Sequence, residues 1–123
     1  MTTEVTPDVL VIPDKIKGMP VVGIYNDQYS PPNFTESIIL PDSIISIGSR
    51  SFTFLNGEFD IPDGVVYIGD NAFNESGIHS IVIPNSVTTI GDWAFSSCNG
   101  LRSITIPDSV TSIGENTFTD GGL

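Results

Sequence analysis

The hydrophobic residues of the chain recur in a fixed order with polar residues between them, and each pass through that order uses 21 to 23 positions. Just ahead of a proline the pattern has a period of two, as in Ile81-Val82-Ile83 and Ile104-Thr105-Ile106, which predicts a short strand with one face turned inward. Proline then ends the strand, since it has no N–H to give to a ladder. Beyond it come apolar residues three apart, Val87 and Ile90 or Val110 and Ile113, around two β-branched or polar ones. That spacing predicts a second brief extended segment. A glycine follows, where the pattern predicts a turn with positive φ. Segments such as Asp92-Trp93-Ala94-Phe95 then fit one helical or 3₁₀ turn, capped by its leading Asp.

Four copies lie in register. The prolines are Pro41, Pro62, Pro84 and Pro107; seven positions on stand Gly48, Gly69, Gly91 and Gly114; eleven on stand Phe52, Phe73, Phe95 and Phe118. The spacing from proline to phenylalanine never changes, whereas the stretch from phenylalanine to the next proline is 10, 11 and then 12 residues. The side after phenylalanine is therefore the tolerant one. Self-similarity of this kind marks a solenoid, in which no unit buries its own apolar face and stacking makes the shared core. The expected fold is a β-rich solenoid of about four to five coils of 21–23 residues, each a short strand, a second short extended segment and a helical or 3₁₀ turn.

A degenerate earlier copy surrounds Pro13. There an insertion, Lys17-Gly18-Met19-Pro20, separates the proline from Ile24, and Tyr25 takes the place of the glycine. The Pro-, Asn- and Ser-rich run 26–35 predicts a loop. Residues 1–35 are accordingly expected to form an amino-terminal cap with a degenerate first repeat, and 36–123 the repeat array, which stops in mid-coil after Phe118. Such an end fits a fragment of a longer array or a face that another chain covers.

The motif resembles the BspA-like leucine-rich repeat family, whose units run roughly LxxIxIPxxVxxIGxxAFxxC. Ile83, Pro84, Val87, Ile90, Gly91, Ala94, Phe95 and Cys98 fall on its landmarks, and so do Leu101, Ile104, Ile106, Pro107, Val110, Ile113, Gly114 and Phe118. The resemblance implies an open leucine-rich-repeat solenoid with a β-sheet along one side, found mostly in bacterial surface proteins and some protist surface antigens, acting in adhesion or protein binding. It thereby implies an extracellular or cell-surface location. Residues 1–10 carry neither the basic nor the apolar stretch of a secretion signal.

Charge narrows the partners. Fifteen acidic residues against four basic ones give a net charge of −11, which is the wrong sign for nucleic acid or an anionic membrane. No apolar run reaches the roughly 18 residues of a membrane-inserted helix. Twelve glycines and nine prolines are too much punctuation for long helices. A single cysteine, Cys98, leaves no intramolecular disulfide and is expected as an inward-facing structural thiol.

The chemistry-bearing residues point away from catalysis. There is no nucleophile elbow, zinc-binding helix motif, phosphate loop or CxxC, and the lone His79 has no orienting partner in sequence. Asp14, Asp42, Asp63 and Asp108 follow repeat prolines, with Asn85 in the remaining copy; Asp70, Asp92 and Glu115 follow repeat glycines. Turn and capping preferences account for both rows, and rows of single carboxylates do not converge on one point as a calcium site must. Neither a cofactor nor a metal is expected.

Outward positions carry the binding candidates. Along the main strands these are Val11, Ile39, Asp60, Val82 and Thr105, and Trp93 stands where other copies have Arg50, Asn71 or Asn116. Trp93, Tyr67, Ile39, Val82 and Thr105 are the candidate contacts for a protein or carbohydrate ligand. The expected function is a non-catalytic recognition or adhesion scaffold. The alternative is a structural spacer or assembly module that self-associates through its uncapped carboxy-terminal coil, with Phe118 and Leu123 at the contact.

Overall fold

The computed structural model describes residues 9–24, 37–53 and 56–121, and among these the chain passes through thirteen short strands and no helix. They are β1 (Val9–Val11), β2 (Lys15–Ile16), β3 (Met19–Pro20), β4 (Gly23–Ile24), β5 (Ser37–Ile39), β6 (Ser46–Ile47), β7 (Asn56–Phe59), β8 (Tyr67–Ile68), β9 (Gly77–Ile78), β10 (Ser80–Val82), β11 (Thr89–Ile90), β12 (Ser103–Thr105) and β13 (Ser112–Ile113). Two parallel ladders run along the stack. The main ladder joins β1, β5, β7 and β9 and continues as β10 and β12; the second runs β4, β6, β8, β11, β13. Register follows the repeat: Ile24, Ile47, Ile68, Ile90 and Ile113 are successive partners in the second ladder.

Between the ladders each coil turns a corner at its proline. The carbonyls of Pro41, Pro62, Pro84 and Pro107 accept the N–H of the residue three on, at 3.1–3.2 Å, so the Asp or Asn after each proline sits inside a tight turn. Inward residues from both ladders fill the space between. Ile44, Ile47, Val65, Ile68, Val87 and Ile90 are buried there, together with Ile38, Phe59 and Ile81 from the main strands. Phenylalanine closes the third side. Phe52, Phe73, Phe95 and Phe118 stack with centroid distances of 5.5, 5.1 and 5.9 Å, the last two pairs within 8° of parallel.

The glycines work differently from the expectation. Gly48, Gly69, Gly91 and Gly114 do not have positive φ; among the described glycines only Gly18 does. What Gly69, Gly91 and Gly114 provide is closeness. A Cβ on Gly91 would stand 2.6 Å from the Asp70 nitrogen and 2.8 Å from the Gly69 carbonyl carbon, and one on Gly114 would stand 2.6 Å from the Gly91 carbonyl carbon. Coils stack so tightly here that no side chain fits.

Left-handed backbone instead falls two residues later, at Arg50, Asn71, Trp93 and Asn116, and again at Glu75, Ser97 and Asp120. These residues explain why the expected helical turn does not form. A left-handed residue at every fourth position stops a right-handed helix from propagating. Alternate N–H groups then go to the next coil: Asn71 to the Asp92 carbonyl at 2.9 Å, Phe73 to Ala94 at 2.8 Å and Glu75 to Ser96 at 2.9 Å. The third side is thus a ladder of stacked turns.

Two irregularities are absorbed locally. The insertion at 17–20 becomes an antiparallel hairpin in which β2 pairs with β3, and Lys17 and Gly18, with φ of 53° and 79°, form its two-residue turn. The chain then rejoins the stack, with Ile24 opposite Ile47. The extra residue of the third copy is a bulge at His79. Gly57 pairs with Ile78, yet both Ile78 and Ile81 point inward, so the phase of the strand changes between them and the main ladder breaks into its two parts.

Candidate functional site

The main ladder presents its outward residues as a row. Val11 pairs with Ile39 and Val82 with Thr105, and Val11, Ile39 and Val82 are 58, 51 and 77% exposed. Strand geometry enforces this: Ile38 and Ile81 point into the core, so Ile39 and Val82 point out. Below the row lies a shallow groove lined by Val82, Thr105, Pro84, Asn85, Pro107 and Asp63, where two successive proline corners meet the strands. Sequence reasoning singled out Val82 and Thr105 but missed the proline corners beside them.

Tyr67 and Trp93 lie elsewhere. Tyr67 is on the second ladder, with Ser46 and Thr89 as register partners, and is exposed. Trp93 is in the ladder of turns, 40% exposed, with φ of 60°. The five candidate contacts are therefore divided among three sides of the coil. Asparagine at two equivalent positions, Asn71 and Asn116, was the sequence signal for left-handed backbone at Trp93.

The carboxylates after the glycines do not cap their own turns. Asp70 Oδ1 accepts the N–H of Asp92 at 2.8 Å, and Asp92 Oδ1 that of Glu115 at 2.7 Å, so each serves the coil above. Among the described residues no group of three or more His, Cys, Asp or Glu side chains is placed to hold a metal ion, and no helix is long and apolar enough to cross a membrane. Cys98 is buried with its thiol donating to the Phe73 carbonyl at 3.1 Å. Burial pushes the thiol up to about 11, outweighing the opposing effect of a hydrogen bond from the Ser76 backbone. It is an unreactive core group.

In the last described coil the inward residues are less covered. Ile104, Ile106, Val110 and Phe118 are half-buried and Ile113 is 46% exposed, whereas the equivalent Ile81, Ile83, Val87, Phe95 and Ile90 are buried. Leu123 lies outside the described residues.

Residues 23–123 match the sequence profile of the BspA type leucine rich repeat region, in six copies. The chain belongs to the BspA-type leucine-rich-repeat family. Solved structures of this kind share the fold. The pneumococcal vaccine antigen PcpA is 23% identical with a TM-score of 0.71, and the match covers 93% of this chain and 38% of that one. A leucine rich cell surface protein from Faecalibacterium prausnitzii is 28% identical with a TM-score of 0.51, over 90% of this chain and 38% of that one. This BspA-type chain thus spans well under half the length of either. Comparison with curated protein sequences finds no match.

Proposed function

We propose that this BspA-type array is a non-catalytic binding scaffold of a surface protein, and that it holds a protein partner against the outward face of its main ladder. The observation that carries the reading is the outward row Val11, Ile39, Asp60 and Val82, in which three positions, Val11, Ile39 and Val82, are apolar. All three are more than half exposed on a ladder whose other face is already filled by the core, so nothing in the fold requires them to be apolar. Thr105 and the proline-lined groove extend the same surface. The likeness to a leucine rich cell surface protein supports the location.

The test is binding of the chain, displayed on beads, to a panel of purified surface and secreted proteins, with Ile39→Asp/Val82→Asp as the comparison. Saturable binding that weakens at least tenfold in the double variant, with an unchanged melting temperature, supports the reading. Binding that ignores the double variant sinks it.

A further inference from the structure

Trp93 occupies a position for which tryptophan is poorly suited. The residue two after each repeat glycine is left-handed, with φ of 57° at Arg50, 57° at Asn71, 60° at Trp93 and 55° at Asn116. Asparagine tolerates this region because its short polar side chain can hydrogen-bond the local backbone, whereas bulky residues adopt it rarely. The coil between Asn71 and Asn116 nevertheless carries the one tryptophan of the chain, and leaves it 40% exposed. Core packing does not explain the choice.

The surroundings of the indole are polar and regularly spaced. Asn71 donates its N–H to the Asp92 carbonyl at 2.9 Å and Trp93 donates to Glu115 at 3.0 Å, so Asn71, Trp93 and Asn116 hold one place in three successive coils. They are therefore about one strand spacing, roughly 4.8 Å, apart. Alongside run the exposed Asp70, Asp92 and Glu115. Asp70 and Asp92 each commit one oxygen to the coil above, which leaves the other for a ligand. A partly exposed indole with an asparagine in register on either side and a row of acceptors alongside matches a sugar ring, with its C–H face and its rim of hydroxyls.

We propose that Trp93, with Asn71, Asn116, Asp70 and Asp92, forms a carbohydrate-binding site. The indole takes the C–H face of one pyranose, and the amides and carboxylates take its hydroxyls. The ligand is a neutral glycan, because a net charge of −11 and the adjoining carboxylate row repel uronic and sialic acids. The site is separate from the main-ladder surface and does not rest on the protein-partner reading.

Trp93 is its own reporter, being the only tryptophan. Its emission is followed while the whole chain is titrated with cellotriose, triacetylchitotriose or trigalacturonate. At least one of the two neutral trisaccharides is expected to give a saturable blue shift with a dissociation constant of about 1 mM, and the acidic one none. Trp93→Asn is expected to raise the melting temperature by about 2–4 °C, by relieving the left-handed strain, and to abolish the saturation-transfer NMR signal of the same sugar. Val82→Asp is expected to leave sugar binding intact. The proposal fails if neither neutral sugar shifts the emission up to about 20 mM. It fails equally if trigalacturonate binds as well as they do, if Trp93→Asn keeps the sugar signal or lowers the melting temperature, or if Val82→Asp removes binding.

Discussion

Asp92 Oδ1 accepts the backbone N–H of Glu115 at 2.7 Å, and it reaches that group through the space that Gly114 leaves by having no side chain. Asp70 and Asp92 stand in the same relation one coil earlier, across Gly91, at 2.8 Å. Glycine and carboxylate are one device. The missing side chain brings the backbones together, and the carboxylate of one coil satisfies the N–H that the next coil brings close.

Gly91→Ala is therefore expected to cost about 2–4 kcal/mol, because its Cβ would displace the Asp70 carboxylate oxygen and would also meet the Asp70 nitrogen and the Gly69 carbonyl carbon, backbone atoms that cannot turn aside. Gly64→Ala is the control. Its Cβ would meet the Asp42 and Ile44 carbonyl oxygens at an ordinary 3.5 Å, so a change within about 0.5 kcal/mol is expected. Urea denaturation of both variants checks the contrast, and equal losses would mean that close stacking is not the reason for the glycine.

At Asp92 the hydrogen bond and the charge separate cleanly. Asp92→Asn keeps an acceptor for the Glu115 N–H while removing one of three like charges in a row, so stability should hold or rise. Asp92→Ala loses the bond and should cost about 0.5–1.5 kcal/mol. Thermal melts at low salt decide it; an asparagine variant as weak as the alanine one would show that the negative charge itself is needed.

The phenylalanine stack should weaken toward the last described coil. Phe95 is fully buried between Phe73 and Phe118, and Phe95→Ala should cost about 3–5 kcal/mol. Phe118 is half-buried and stacks on Phe95, so Phe118→Ala should cost about half as much. Denaturant midpoints for the pair measure how much each coil takes from its neighbours.

Cys98 gives a pH signature. Its folded thiol is pushed up to about 11 from the ordinary 9.0 that the unfolded chain regains. The raised value means that full stability is present below pH 9 and is lost as the pH rises from 9 toward 11, by about 1–3 kcal/mol. Cys98→Ala should flatten that decline. Labelling by a thiol reagent at pH 8 should follow the unfolding rate, and burst labelling of the native chain would contradict the burial.

Much of this architecture can be read from the chain because the repeat makes each position visible several times. Pro84, Ile90 and Phe95 are placed by their copies, and the strand beginning near Ile81 follows from its period. What the pattern conceals is any contact between coils. The repeat glycine at Gly91 has a steric reason that lies in the preceding coil, at Asp70 and Gly69, so local turn preference misreads it. Asp92 looks like a helix cap because capping is the local use of Asp, yet its partner is in the next coil. Exposed residues are harder still: Val82 and Thr105 can be ordered along a strand, but the groove they share with Pro84 and Pro107 needs the corners in three dimensions.

The bulge at His79 shows how the stack accommodates unequal units. Proline to phenylalanine is a fixed length in every copy, while the following stretch gains one residue and then two without disturbing the ladders beyond it. Foreign peptides grafted beside His79, or at Asn99 in the longer stretch between Phe95 and Pro107, should thus be carried as passengers. Because each passenger rides on its own coil, the separation between two of them is quantised in steps of about 4.8 Å. The array is a molecular ruler with one blank margin on which other chemistry can be written.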